Sequence, residues 1–225
     1  MNIPSIILST LLIVVATQPL SAGQTIQASK TDATPRNTSP VGDGDGESVR
    51  DKTKDVLRVG SWENNMSDRR CSVFVFTLPD TAAPANLEFA NFSIRLFSKR
   101  FRPDYDVDLW ALRVAPPEEG EVQPTDYGVG PKPEGSESQL LLEASFATPS
   151  SPDQRLTFST DAAALLLAKF LKDNWIPGGK LFLRLNAANP PDFGARGDGG
   201  TKEQGYDFGS ADRTDGEVPE LELEP

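Results

Sequence analysis

Along much of the chain, apolar side chains recur at every second residue, and segments rich in proline, glycine and charge separate these stretches. The clearest is Asp106–Val114, DVDLWALRV, where Val107, Leu109 and Ala111 alternate with Asp108, Trp110 and Leu112. Successive side chains of an extended strand point to opposite faces, so apolar groups in both sets predict an interior strand covered on two sides. Arg70–Pro79, RCSVFVFTLP, has the same character, with Val73, Val75 and Thr77 set against Phe74, Phe76 and Leu78. Leu87–Phe97 is one-sided: Phe92, Ile94 and Leu96 lie opposite Ser93 and Arg95, the pattern of a half-buried strand. Val56–Gly60, Arg155–Phe158 and Lys180–Ala187 read as further strands, as does Gln139–Phe146 with Leu140, Leu142, Ala144 and Phe146 on one face. Gly216–Glu224 reads as a closing edge strand, Leu221 and Leu223 inward and glutamates outward. Pro116–Gly135 and Asn189–Gly205 read as loops.

One segment has a different period. Asp161–Asn174 places Ala163, Leu166, Leu167, Phe170 and Leu171 at helical spacing, with Ser159 or Thr160 as N-cap and Asp161 at the favourable end of the helix dipole. Pro177, Gly178 and Gly179 end it. A single helix among many strands predicts an all-β sandwich in which the helix caps one end of the core.

The N-terminal quarter lacks such patterns. Met1–Ala22 carries a short apolar run followed by Ser21, Ala22 and Gly23, too short for the roughly 20 residues that span a bilayer, and so reads as a secretory signal peptide over residues 1–23. Residues 24–54 show neither strand nor helix periodicity and read as a disordered linker, which leaves 55–225 as the sandwich domain. No insertion into a membrane is expected once the signal is removed.

Composition narrows the chemistry. The chain has 33 acidic and 22 basic residues, a net charge of -11 that repels nucleic-acid backbones and argues against such a partner. It contains no histidine, which removes histidine-based triads and imidazole metal sites. Its one cysteine, Cys71, opens an apolar strand and reads as a small buried hydrophobe with no base to activate it. Gly42–Glu47 (GDGDGE) lacks the ligand set of a calcium loop, Gly199–Lys202 (GGTK) has the wrong order for a phosphate loop, and Arg196–Asp198 and the sequon at Asn91 are too short to carry weight.

The remaining candidates are aromatic and polar residues beside predicted loops. Trp62, Tyr105 and Tyr127 are candidate platforms for sugar rings, with Asn64, Asp104, Asp106 and Asp126 to bind hydroxyls, whereas Trp110 in mid-strand reads as core. Asp104, Asp106 and Asp108 alternate onto one face, where like charges repel unless solvated or neutralised, so a structural calcium is conceivable there. No other cofactor is expected.

Val56–Gly60, Arg70–Pro79, Val107–Leu112 with Asp126–Tyr127, and Asp207–Leu223, in that order, resemble the DNRLRE-type carbohydrate-binding-module-like domains of secreted bacterial proteins, with Glu47–Arg50 a candidate opening strand. The resemblance implies a jelly-roll-like sandwich and, as function, adhesion to polysaccharide without catalysis, in a protein that is secreted or displayed at the cell surface. A scaffold for surface assembly is the alternative, and a polysaccharide-degrading enzyme the third reading, since paired carboxylates are plentiful.

Overall fold

The alternating segments assemble into two antiparallel sheets packed face to face, with one helix at their edge. The computed structural model describes residues 23–37, 48–50, 54–62, 68–100, 106–128, 138–142, 154–158, 160–188 and 204–225. The strands are β1 (Gln24–Gln27), β2 (Thr34–Asn37), β3 (Ser48–Arg50), β4 (Val56–Trp62), β5 (Asp68–Arg70), β6 (Ser72–Thr77), β7 (Phe89–Arg100), β8 (Val107–Ala115), β9 (Gln139–Leu142), β10 (Gln154–Phe158), β11 (Lys180–Ala187), β12 (Gln204–Gly209) and β13 (Glu220–Glu224). The helix, α1, spans Asp161–Asn174. In the first sheet the pairing runs β1, β13, β7, β12, β4, β5, β2, β3, and β10 also pairs with β7; the second runs β6, β11, β8, β9. The fold is the all-β sandwich with one short helix that the sequence predicts.

The main core lies between the sheets. From the first come Leu57, Val59, Phe92, Ile94, Leu96, Tyr206, Phe208, Leu221 and Leu223; from the second, Phe74, Phe76, Val107, Leu109, Ala111, Leu181, Leu183 and Leu185. Phe92 anchors it, its ring 5.4 Å from that of Phe74 and edge-on to Phe76 at 5.9 Å. A second cluster covers the opposite face of the second sheet: Cys71, Val73, Val75, Trp110, Leu112 and Phe182 are buried beneath Ala33, Val122 and Tyr127. This outer layer explains why β6 and β8 are apolar on both faces.

A β-bulge sets the direction of the side chains at the end of β8. Leu183 pairs with Ala111 and Phe182 with Arg113, so Leu112 is an extra residue. Leu112 therefore joins Trp110 in the outer cluster, and Arg113 points to the same side, its guanidinium 3.9 Å above the Phe182 ring. A second irregularity, between Leu109–Leu142 and Trp110–Leu140, splits β9: Leu141 enters the main core and Leu140 packs on the outer cluster. The expected single face for Leu140 and Leu142 is broken by that shift, which sets Leu140 level with Trp110 and Leu142 level with Leu109, and Ala144 and Phe146 lie outside the described residues.

Four further readings change. Residues 24–54 are not a plain linker, because β1 pairs with β13, β2 with β3 and β5, and Asp32, Ala33 and Thr34 are buried. These pairings rest on backbone hydrogen bonds, which leave little trace in side-chain pattern. β13 is not an edge, since β1 lies on one side of it and β7 on the other. β12, within what reads as a glycine-rich loop and its sequel, is a paired strand between β4 and β7 with Tyr206 and Phe208 buried. In α1, Thr160 caps the N-terminus by accepting from Ala163 N at 3.2 Å, but Leu166 is 37% exposed while Ala164 and Ala168 are buried, so the buried stripe is rotated from the expected one. Gly178, at φ +67, makes the left-handed turn that carries the chain from α1 toward β11. Residues 1–22 of the expected signal peptide, Gly42–Glu47, Arg196–Asp198 and Gly199–Lys202 lie outside the described residues.

Candidate functional site

The aromatic and acidic residues singled out in the sequence do not form one surface. Asn64, Asp104 and Tyr105 lie outside the described residues, and Trp62 is placed by its backbone alone, paired with Asp68 across β4 and β5. Asp106 is half-buried at the start of β8, where its carbonyl accepts from Ala188 N at 2.9 Å. Tyr127 is only 5% exposed and plugs the outer cluster, so it offers no platform for a sugar. Asp108 is buried close enough to Arg184 for their opposite charges to interact. Among the described residues no group of three or more acidic, cysteine or histidine side chains is arranged to hold a metal ion.

Asp126 and Tyr127 belong instead to a buried polar brace. Arg113 forms a two-pronged ion pair with Asp126, its second prong 3.1 Å from Oδ2. The same carboxylate accepts from Gln123 N at 2.8 Å, which closes the turn Pro124–Asp126. Arg184 donates to Asp126 O at 3.1 Å and to Asn186 Oδ1 at 3.0 Å, with its guanidinium 5.4 Å from the Trp110 ring. Burial pulls the Arg184 guanidinium below its ordinary pKa, while Cys71, Asp126, Tyr127 and Asp108 act to raise it. Gly128 lies flat against Arg184: a Cβ there would fall on the guanidinium. The Cys71 thiol, between Pro35 O at 3.9 Å and Asp126 O at 4.0 Å, is pushed up to about 11 by burial. As the sequence predicts, Cys71 is buried; the brace fastens loop to sheet.

The open polar surface is elsewhere, on the outer face of the first sheet. There Thr25 of β1, Glu220 and Glu222 of β13, Asn91 and Ser93 of β7, and Arg155 and Thr157 of β10 line a shallow groove of about 290 Å³. The strand pattern produces it directly: the residues between Phe92, Ile94, Leu221 and Leu223 all turn outward, and pairing brings them level. Arg155 donates to Ser93 Oγ from Nε at 3.2 Å and from its terminal nitrogen at 3.0 Å, reaches Val218 O at 3.3 Å, and pairs with Glu220. Asn91 donates to Glu224 Oε1 at 2.7 Å. Beside the groove, Phe97 is sandwiched between Arg95, 5.3 Å from its centroid, and Arg213 at 3.7 Å. Hydroxyls, an amide, carboxylates and a guanidinium thus converge on a shallow surface, an arrangement suited to a ligand rich in hydroxyls.

None of these groove residues is a candidate from sequence alone. Their signal was the polar half of the alternation, which acquires meaning only when the register of four strands, far apart in sequence, is known. Fold and groove together define an antiparallel β-sandwich with a polar sheet face. No protein-family model and no curated protein sequence matches the chain.

Proposed function

We propose that the protein is a secreted, non-catalytic module that binds extracellular polysaccharide on the outer face of its first sheet. The observation that carries this reading is the groove across β1, β13, β7 and β10, where Thr25, Asn91, Ser93, Thr157 and Glu222 present hydrogen-bonding groups on rigid strands. Strands hold such groups at fixed spacing, so a ligand loses little free energy in ordering the site. The resemblance of the strand segments to carbohydrate-binding-module-like domains supports the same ligand class, and the apolar leader supports export. The net charge of -11 argues for a partner other than nucleic acid.

Affinity electrophoresis through gels containing individual polysaccharides tests the proposal. Retardation on at least one polysaccharide, with no release of reducing ends, is the expected result. Free migration through every gel would shift the reading to a scaffold for surface assembly, and released oligosaccharides would shift it to an enzyme.

A further inference from the structure

We propose that the groove selects an uncharged glycan strand lying across β1, β13, β7 and β10, with the Glu222 carboxylate as the principal acceptor of its hydroxyls; this rests on the function proposed above. Register arranges the lining residues, together with the exposed Gln27 of β1 next to them, in two rows at right angles to the strands. One row runs Gln27, Glu220, Ser93, Thr157, and the next runs Thr25, Glu222, Asn91. Neighbouring strands lie about 4.8 Å apart, so the longer row extends about 14 Å, room for a short oligosaccharide.

Charge decides the class of glycan. Arg155 is occupied by Ser93, Val218 O and Glu220, and a further contact joins it to Glu217 at 3.6 Å. Arg95 beside it pairs with the same Glu217 at 2.8 Å. Both cations at this end of the groove are thus already matched by protein carboxylates. Glu222 is exposed between Thr25 and Asn91, and its carboxylate makes no hydrogen bond or ion pair among the described residues. A uronic acid or sulfated sugar entering here meets an unmatched carboxylate and, among the described residues of the groove, no unmatched cation. A neutral sugar offers hydroxyl donors, and a hydrogen bond to a charged acceptor is the stronger kind. Thr25 and Thr157 flank the rows with hydroxyls that both donate and accept.

The test uses the full mature chain, as wild type and Glu222→Ala, in affinity gels containing a β-glucan, a galactomannan or a xylan as neutral probes and polygalacturonate or alginate as acidic ones. Wild type should be retarded by at least one neutral probe and by neither acidic one. Glu222→Ala should weaken the neutral interaction about tenfold, with an unchanged thermal midpoint because the side chain is exposed. Preference for an acidic probe, or neutral binding unaffected by Glu222→Ala, would overturn this inference and leave the proposed function standing. Absence of retardation on every probe would overturn both.

Discussion

Asp32 offers a quantitative test of how the N-terminal segment is held. Its side chain is fully buried in the connection between β1 and β2, where Oδ2 accepts from Ala211 N at 2.7 Å and Oδ1 has no partner among the described residues. Burial raises the carboxyl from its ordinary 3.8 to about 7, with Asp212 adding to the rise and the Ala211 amide opposing it. The native state therefore holds the proton to a higher pH than the unfolded chain. The stabilisation this supplies is complete below 3.8 and is lost as pH rises through about 7. Each pKa unit corresponds to about 1.4 kcal/mol, so the full effect is on the order of 4 kcal/mol. Asp32→Asn keeps an acceptor for Ala211 and removes the titration. Urea denaturation of both proteins from pH 4 to pH 8 isolates the term, because the remaining carboxylates cancel in the difference. Relative to the variant, wild type should lose stability from pH 4 to about 7, level off above that, and be the less stable of the two at pH 8. A difference that is flat or of opposite slope would refute the reasoning.

Two other outcomes follow from the buried brace. Cys71, with its thiol pushed up to about 11 and no exposed surface, should react with a thiol reagent at pH 8 only after denaturation; rapid labelling of native protein would show that the outer layer opens. Gly128→Ala should cost about 1–3 kcal/mol in urea denaturation, since its Cβ must displace the Arg184 guanidinium, and a neutral result would mean that the loop is free to move away.

The parts of the fold legible in the sequence are those whose side chains carry the pattern. β6, β7, β8 and β11 bury regular apolar sets, and α1 shows its period and its threonine cap. β1 and β2 leave little trace because few of their side chains reach a core: β1 is held through the backbone of β13, and only Ile26 packs inward from it; β3 is signalled only through the family resemblance, at Glu47–Arg50. β12 was obscured by Gly205 and Gly209, although Tyr206 and Phe208 between them are core residues. Tyr127 was misplaced for a different reason. The two-sided apolar character of β6 and β8 demands a covering layer, and the segment holding Val122 and Tyr127 supplies it, so an aromatic residue in a polar loop became a plug. The groove depended on long-range register, which no local pattern contains.

The bulge in β8 also bears on which changes of length the strand can absorb. Arg113 and Ala115 lie on the outer side because Leu112 is one residue more than the ladder with β11 requires. A chain lacking Leu112 would pass from Ala111 to Arg113 in plain alternation, with Arg113 still beside Asp126 and Val114 still toward the main core. Removal of Ala111 would have a similar outcome, with Leu112 taking its inward place. An added residue has no such outlet, since it must either widen the bulge or turn a guanidinium into the apolar core. At this point the strand therefore has slack for shortening by one residue and none for lengthening.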